Sequence, residues 1–119
     1  MNTEPNNQPD DLLIVWTSGD RDVARNMVLM YAKNAKRLGW WQEINLLVWG
    51  PSQKLLTEDE ELQMKLRVMI DLGVRIGACK ACADSYQIAG DLEALGVEVF
   101  YSGEFLTNWL KSGKRVVTF

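Results

Sequence analysis

The sequence contains no histidine among its 119 residues. That absence removes the Ser-His-Asp triad, the Cys-His nucleophile pair and imidazole-bearing zinc sites from what one chain can build. Chemistry must then rest on thiol, carboxylate, amine, hydroxyl or backbone groups. Cysteine is almost as scarce, with Cys79 and Cys82 the only two. Two cysteines three residues apart cannot staple a secreted scaffold; in a reducing compartment such a pair points to redox, sulfur-transfer or metal chemistry. Structural zinc needs four ligands as a rule, so a metal would have to be shared between subunits. Neither a metal nor a cofactor is expected.

Long hydrophobic runs are also missing, and nothing approaches the ~20 apolar residues of a membrane-spanning helix. Positive charge is not in excess: 16 acidic against 13 basic residues give a net charge of −3. A nucleic-acid binder needs a concentrated basic surface, so none is expected. Met1 to Asp11, rich in Asn, Pro and acid, lacks the basic-then-apolar order of a secretory signal and is expected to be a disordered lead. The cytoplasm is the expected location. What is present is the composition of an ordinary globular domain, 47% hydrophobic and 24% charged, with length for one core over 12–119.

Short apolar runs alternate with helical patterns. Leu12–Trp16 suits a strand covered on both faces. Helical spacing of Val23, Met27, Met30, Tyr31 and Leu38, with Asn34 a polar exception, predicts a helix from Arg21 to Leu38, closed by Gly39. Glu43–Trp49 is a second strand, ended by Gly50-Pro51. Thr57 and Glu60 form a capping box for a helix to Leu72 on Leu62, Leu66, Met69 and Ile70. A third strand, Val74–Ala78, leads into Cys79-Lys80-Ala81-Cys82. Asp84 is a candidate cap for a helix through Leu92 and Leu95. Val97–Phe100, a helix from about Glu104 to Lys111, and a strand from Lys114 to Phe119 complete the pattern. The alternation predicts a three-layer α/β/α domain with a mainly parallel five-stranded sheet.

Ligands of such sheets bind beyond the carboxyl ends of the strands. Three loops occupy that rim: Thr17–Asp20, Trp49–Ser52 and Ala78–Ala83. The third carries both cysteines, with Lys80 between them to favour a thiolate. Buried, inert thiols are the competing expectation. Thr17 and Ser18 are candidates to hold an anion with loop amides, against a plain cap by Ser18 or Asp20. Trp16 and Trp49 close the first two strands and either wall a pocket beside the cysteines or pack in the core. Trp40-Trp41, on the opposite rim, suggests a subunit contact.

The segments Gly73-Val74-Arg75-Ile76-Gly77-Ala78-Cys79-Lys80-Ala81-Cys82-Ala83, then Leu95-Gly96-Val97-Glu98-Val99, then Leu106-Thr107 to Lys111-Ser112-Gly113, resemble the DsrE/DsrF-like family of sulfur-relay proteins. The similarity extends over nearly the whole chain after residue 11, including Val116-Val117-Thr118-Phe119. The resemblance implies a parallel five-stranded sheet between helices and assembly into homo- or hetero-oligomers. It also implies a cysteine just after the third strand that receives sulfane sulfur as a persulfide and passes it from a donor to an acceptor. Cys79 matches that position. Cys82 is not required by relay chemistry. Two other functions stay open: a non-enzymatic module binding a small molecule or protein, and a dithiol redox protein using Cys79 and Cys82.

Overall fold

The computed structural model describes residues 10–119. The expected disordered lead falls, over residues 1–9, outside the described residues, and strand β1 (Asp11–Trp16) begins at Asp11. The chain continues through helix α1 (Arg21–Val23), a π-helical turn (Ala24–Val28), α2 (Leu29–Arg37), β2 (Glu43–Val48), α3 (Pro51–Glu58) and α4 (Glu60–Asp71). It ends with β3 (Arg75–Cys79), α5 (Lys80–Ser85), α6 (Ala89–Ala94), β4 (Glu98–Phe100), α7 (Ser102–Lys111) and β5 (Arg115–Thr118).

The five strands form one sheet in the order β4-β3-β2-β1-β5, and every pairing is parallel. That order decides where the helices go. The first three crossovers step in one direction, and right-handedness places all of their helices on one face. The last crossover, β4 to β5, runs back across the sheet, so α7 lies on the other face. Side-chain alternation follows. Leu12, Ile14 and Trp16 of β1, Ile44, Leu46 and Val48 of β2, and Ile76 and Ala78 of β3 form the larger core with the first six helices. Leu13, Val15 and Leu47 face the other way, against Phe105, Leu106 and Trp109 of α7. Burying each such leucine fully contributes about 1.5–3 kcal/mol.

Three local expectations are corrected. Thr57 does not start a helix; it lies inside α3, and its hydroxyl donates to the Lys54 carbonyl at 3.0 Å. The cap of α4 is Asp59, whose carboxylate accepts from the Leu62 amide at 3.0 Å. Asp84 likewise lies inside α5 rather than capping a helix. The helix of residues 21–37 also buries a different stripe from the one expected. Its core positions are Ala24, Val28, Leu29, Ala32 and Ala35, whereas Met27, Met30 and Tyr31 are exposed. The π-helical turn inserts an extra residue per turn and rotates the face. Arg21 pairs with Asp59 and Glu61, and Arg25 with Glu61, joining this helix to the start of α4.

Candidate functional site

Cys79 is the last residue of β3, and alternation from Ile76 and Ala78 turns it to the α7 side of the sheet. It is also the residue that precedes α5, with extended backbone angles of −67° and 119°. At this cap position a side chain meets the amides two and three residues on. Cys79 makes no side-chain cap hydrogen bond, but the backbone groups of Ala81 and Cys82 and the Cys82 side chain lie near enough to its sulfur to act on it. Burial is the strongest single influence on Cys79 and pushes its thiol up. The Ser102 hydroxyl and the Cys82 and Ala81 groups together outweigh it, leaving Cys79 below the ordinary thiol value.

Ser102 was not anticipated from sequence. It follows β4 at the carboxyl rim and opens α7, so the returning crossover delivers its hydroxyl beneath Cys79. Its oxygen is buried and makes no close hydrogen bond, yet it lies near enough to the Cys79 sulfur to favour the thiolate. Gln53 was also missed: it lies in α3, between the loop expected to end at Ser52 and the helix expected to start at Thr57. Its Nε2 donates to the carbonyls of Val48 and Cys79, each at 3.0 Å, locking the ends of β2 and β3 together. Its buried Oε1 has no partner.

Cys82 is half-buried, whereas Cys79 is buried, and neither is in a disulfide. Burial first, then the contact with and charge of Cys79, hold its thiol above the ordinary value, against the opposing effect of the Gly50 amide and the Trp49 side chain. Trp49 is therefore beside the cysteine pair. Trp16 is not: it is fully buried in the larger core, and its indole N–H donates to the Ser18 carbonyl at 3.0 Å. Lys80 points away from the sulfur. Its ammonium pairs with Asp84 at 2.7 Å and lies 5.6 Å from the centre of the Tyr101 ring.

The Thr17–Asp20 loop is taken up by structure. The amides of Thr17 and Ser18 both donate to the Phe119 carbonyl, as does the Thr17 hydroxyl. An anion would have to displace that carbonyl. Asp20 caps α1 by accepting from the amides of Asp22 and Val23. Among the described residues there is no group of three or more potential metal ligands, and no helix is long and apolar enough to cross a membrane.

The arrangement can therefore hold an anionic sulfur on Cys79, with a second thiol nearby. The DsrE/DsrF-like family profile matches residues 11–119, and the chain belongs to that family. The chain is 38% identical to BT1422, a protein of unknown function from Bacteroides thetaiotaomicron. Their structures superpose with a TM-score of 0.90 over 92% of this chain and 95% of that one. The ychN protein of E. coli shares the fold, with a TM-score of 0.71 at 19% identity over 94% of this chain and 99% of that one. So does MTH1491 of Methanobacterium thermoautotrophicum, with a TM-score of 0.70 at 21% identity over 92% and 98%. No curated protein matches the sequence.

Proposed function

We propose that this DsrE/DsrF-like protein carries sulfane sulfur as a persulfide on Cys79. The observation behind the reading is the placement of Cys79, at the carboxyl end of β3 and the N-terminal cap of α5, where Ser102 and the Ala81 and Cys82 groups favour its anion although the residue is buried. A thiolate, not a thiol, is the nucleophile. In the loading step the Cys79 thiolate attacks the outer sulfur of a donor persulfide. The new S–S bond forms as the donor's own S–S bond breaks, and the donor departs as its thiolate. In the unloading step an acceptor thiolate attacks the outer sulfur now on Cys79, and Cys79 returns as the thiolate the same groups favour. No oxidant is consumed. Lys80 is held by Asp84 and is given no part in the step.

The donor and acceptor are thiol proteins or small thiols of a reducing compartment, in keeping with a cytoplasmic location. A homo-oligomer is part of the same reading. It is supported by the exposed apolar surface of Met27, Met30, Tyr31 and Trp40, the last 55% exposed. Larger apolar patches of this kind mark interaction sites. Sedimentation as a monomer at micromolar concentration would contradict the oligomer and leave the persulfide chemistry standing.

One observation favours a second reading, a binding module with a quiet thiol: Cys79 is only 5% exposed. Intact mass after exposure to polysulfide separates the two. A carrier gains about 32 Da per sulfur atom, and the gain disappears in Cys79→Ser. A binding module gains nothing.

A further inference from the structure

Relay chemistry uses one cysteine, yet the structure sets a second thiol against the first. Cys79 precedes α5 and Cys82 is its third residue. At that spacing the two side chains converge on the same side of the first turn. From the cap and the third position of one helical turn, Cys82 lies near enough to act on the Cys79 sulfur, and Gly50 and Trp49 also neighbour Cys82. A persulfide extends one atom beyond the Cys79 sulfur, so the atom within reach of Cys82 is the inner sulfur. Attack there releases sulfide, whereas attack on the outer atom would merely move the sulfur between cysteines. We infer that Cys82 resolves the Cys79 persulfide, making the protein a sulfide-releasing persulfide reductase as well as a carrier. This rests on the carrier reading.

The step balances without an outside oxidant. The Cys82 thiol gives up its proton, and its sulfur bonds to the inner sulfur of the persulfide. The bond between inner and outer sulfur breaks, and the outer atom leaves with the proton as hydrogen sulfide. The sulfane sulfur is reduced by two electrons, and the two cysteines are oxidised to a Cys79–Cys82 disulfide. A dithiol reductant then restores both thiols by ordinary exchange. Cys82 is half-buried rather than sealed, which gives the expelled sulfide a route outward.

The test is a single turnover. Reduced wild-type protein, Cys82→Ser and Cys82→Ala are loaded with inorganic polysulfide and freed of excess. Intact mass and released sulfide are then followed with no added thiol. The expected wild-type course is a gain of about 32 Da replaced by a loss of about 2 Da, with one sulfide per chain. Both variants keep the heavier mass, and their sulfide release falls at least tenfold. Two variants of different polarity guard against a folding defect in either, and far-ultraviolet circular dichroism reports whether each is folded. If wild type and variants hold the persulfide equally long, or release sulfide equally fast, the resolving role is overturned and the carrier stands. If no form gains mass, the carrier reading falls and this inference falls with it.

Discussion

Helices α1 to α6 cover the face of the sheet that carries Ile14, Leu46 and Ile76, while α7 alone covers the face that carries Leu13, Leu47 and Cys79. The first face is filled at its centre, with Leu56, Leu62, Leu66 and Met69 fully buried against it, and opens at the β5 edge, where Leu12, Trp41 and Val117 line a hollow of about 350 Å³. The second keeps a groove of about 200 Å³ between the sheet and Phe105, bordered by Asn45, Gly77 and Phe100. Stability is concentrated on the crowded face, and the cysteine pair sits at the upper rim of the sparse one. The topology explains this division, since three crossovers feed one face and only the last feeds the other. A single helix both covers the second face and brings Ser102 to the sulfur.

The comparison predicts effects of different kinds on the two faces. Leu66→Ala, in the filled centre of the first face, should cost about 2–5 kcal/mol, read by denaturant unfolding, with the reactivity of Cys79 unchanged in the folded protein. A cost under 1 kcal/mol would contradict the division. Gly77→Ala acts on the sparse face. A methyl there would meet the Phe100 ring at 2.5 Å. Repacking should cost about 1–3 kcal/mol. Phe100 pairs with Cys79 across β3 and β4, so the rate of Cys79 alkylation should change as well. An unchanged rate would detach the site from that face.

Ser102→Ala should leave stability nearly untouched, because the hydroxyl makes no close bond in the resting protein. It should slow alkylation of Cys79 at neutral pH severalfold by removing a group that favours the thiolate. The pH dependence has a definite sign. Cys79 is below the ordinary thiol value when folded, so its alkylation should reach half-maximum at a lower pH than in the unfolded chain. The same shift adds stability above the unfolded pKa, and that contribution is lost as pH falls through the folded one. Cys82, held higher, acts in the opposite sense. A modest effect, on stability and not on the thiol, belongs to the cap of α4. Asp59→Ala should cost about 1 kcal/mol and Asp59→Asn less, since asparagine keeps the cap and loses only the pairing with Arg21.

Strands were legible in the sequence because buried parallel strands are short apolar runs, and all five lie where those runs fall. Helix faces were less so. Met27, Met30 and Tyr31 are large and correctly spaced, but small residues such as Ala24, Ala32 and Ala35 let the helix approach the sheet closely. Helix α3 was hidden by Gly50-Pro51, which looks like a loop. There a glycine at φ 79° turns the chain and proline takes the first helical position, where its missing N–H costs nothing. The cysteine loop was visible as a motif at a strand end. Its supporting groups were not, because Ser102 is far along the chain and is brought in by the last crossover. Gln53 is an ordinary polar residue until β2 and β3 present two carbonyls to its amide.

The central claim is that the Cys79 sulfur, at the rim of the sparsely covered face, accepts sulfane sulfur. Intact mass of the reduced wild-type protein and Cys79→Ser after exposure to polysulfide tests it most directly. The account predicts a transient gain of about 32 Da in the wild type and none in Cys79→Ser. A gain that survives in Cys79→Ser, or no gain in either, would contradict it.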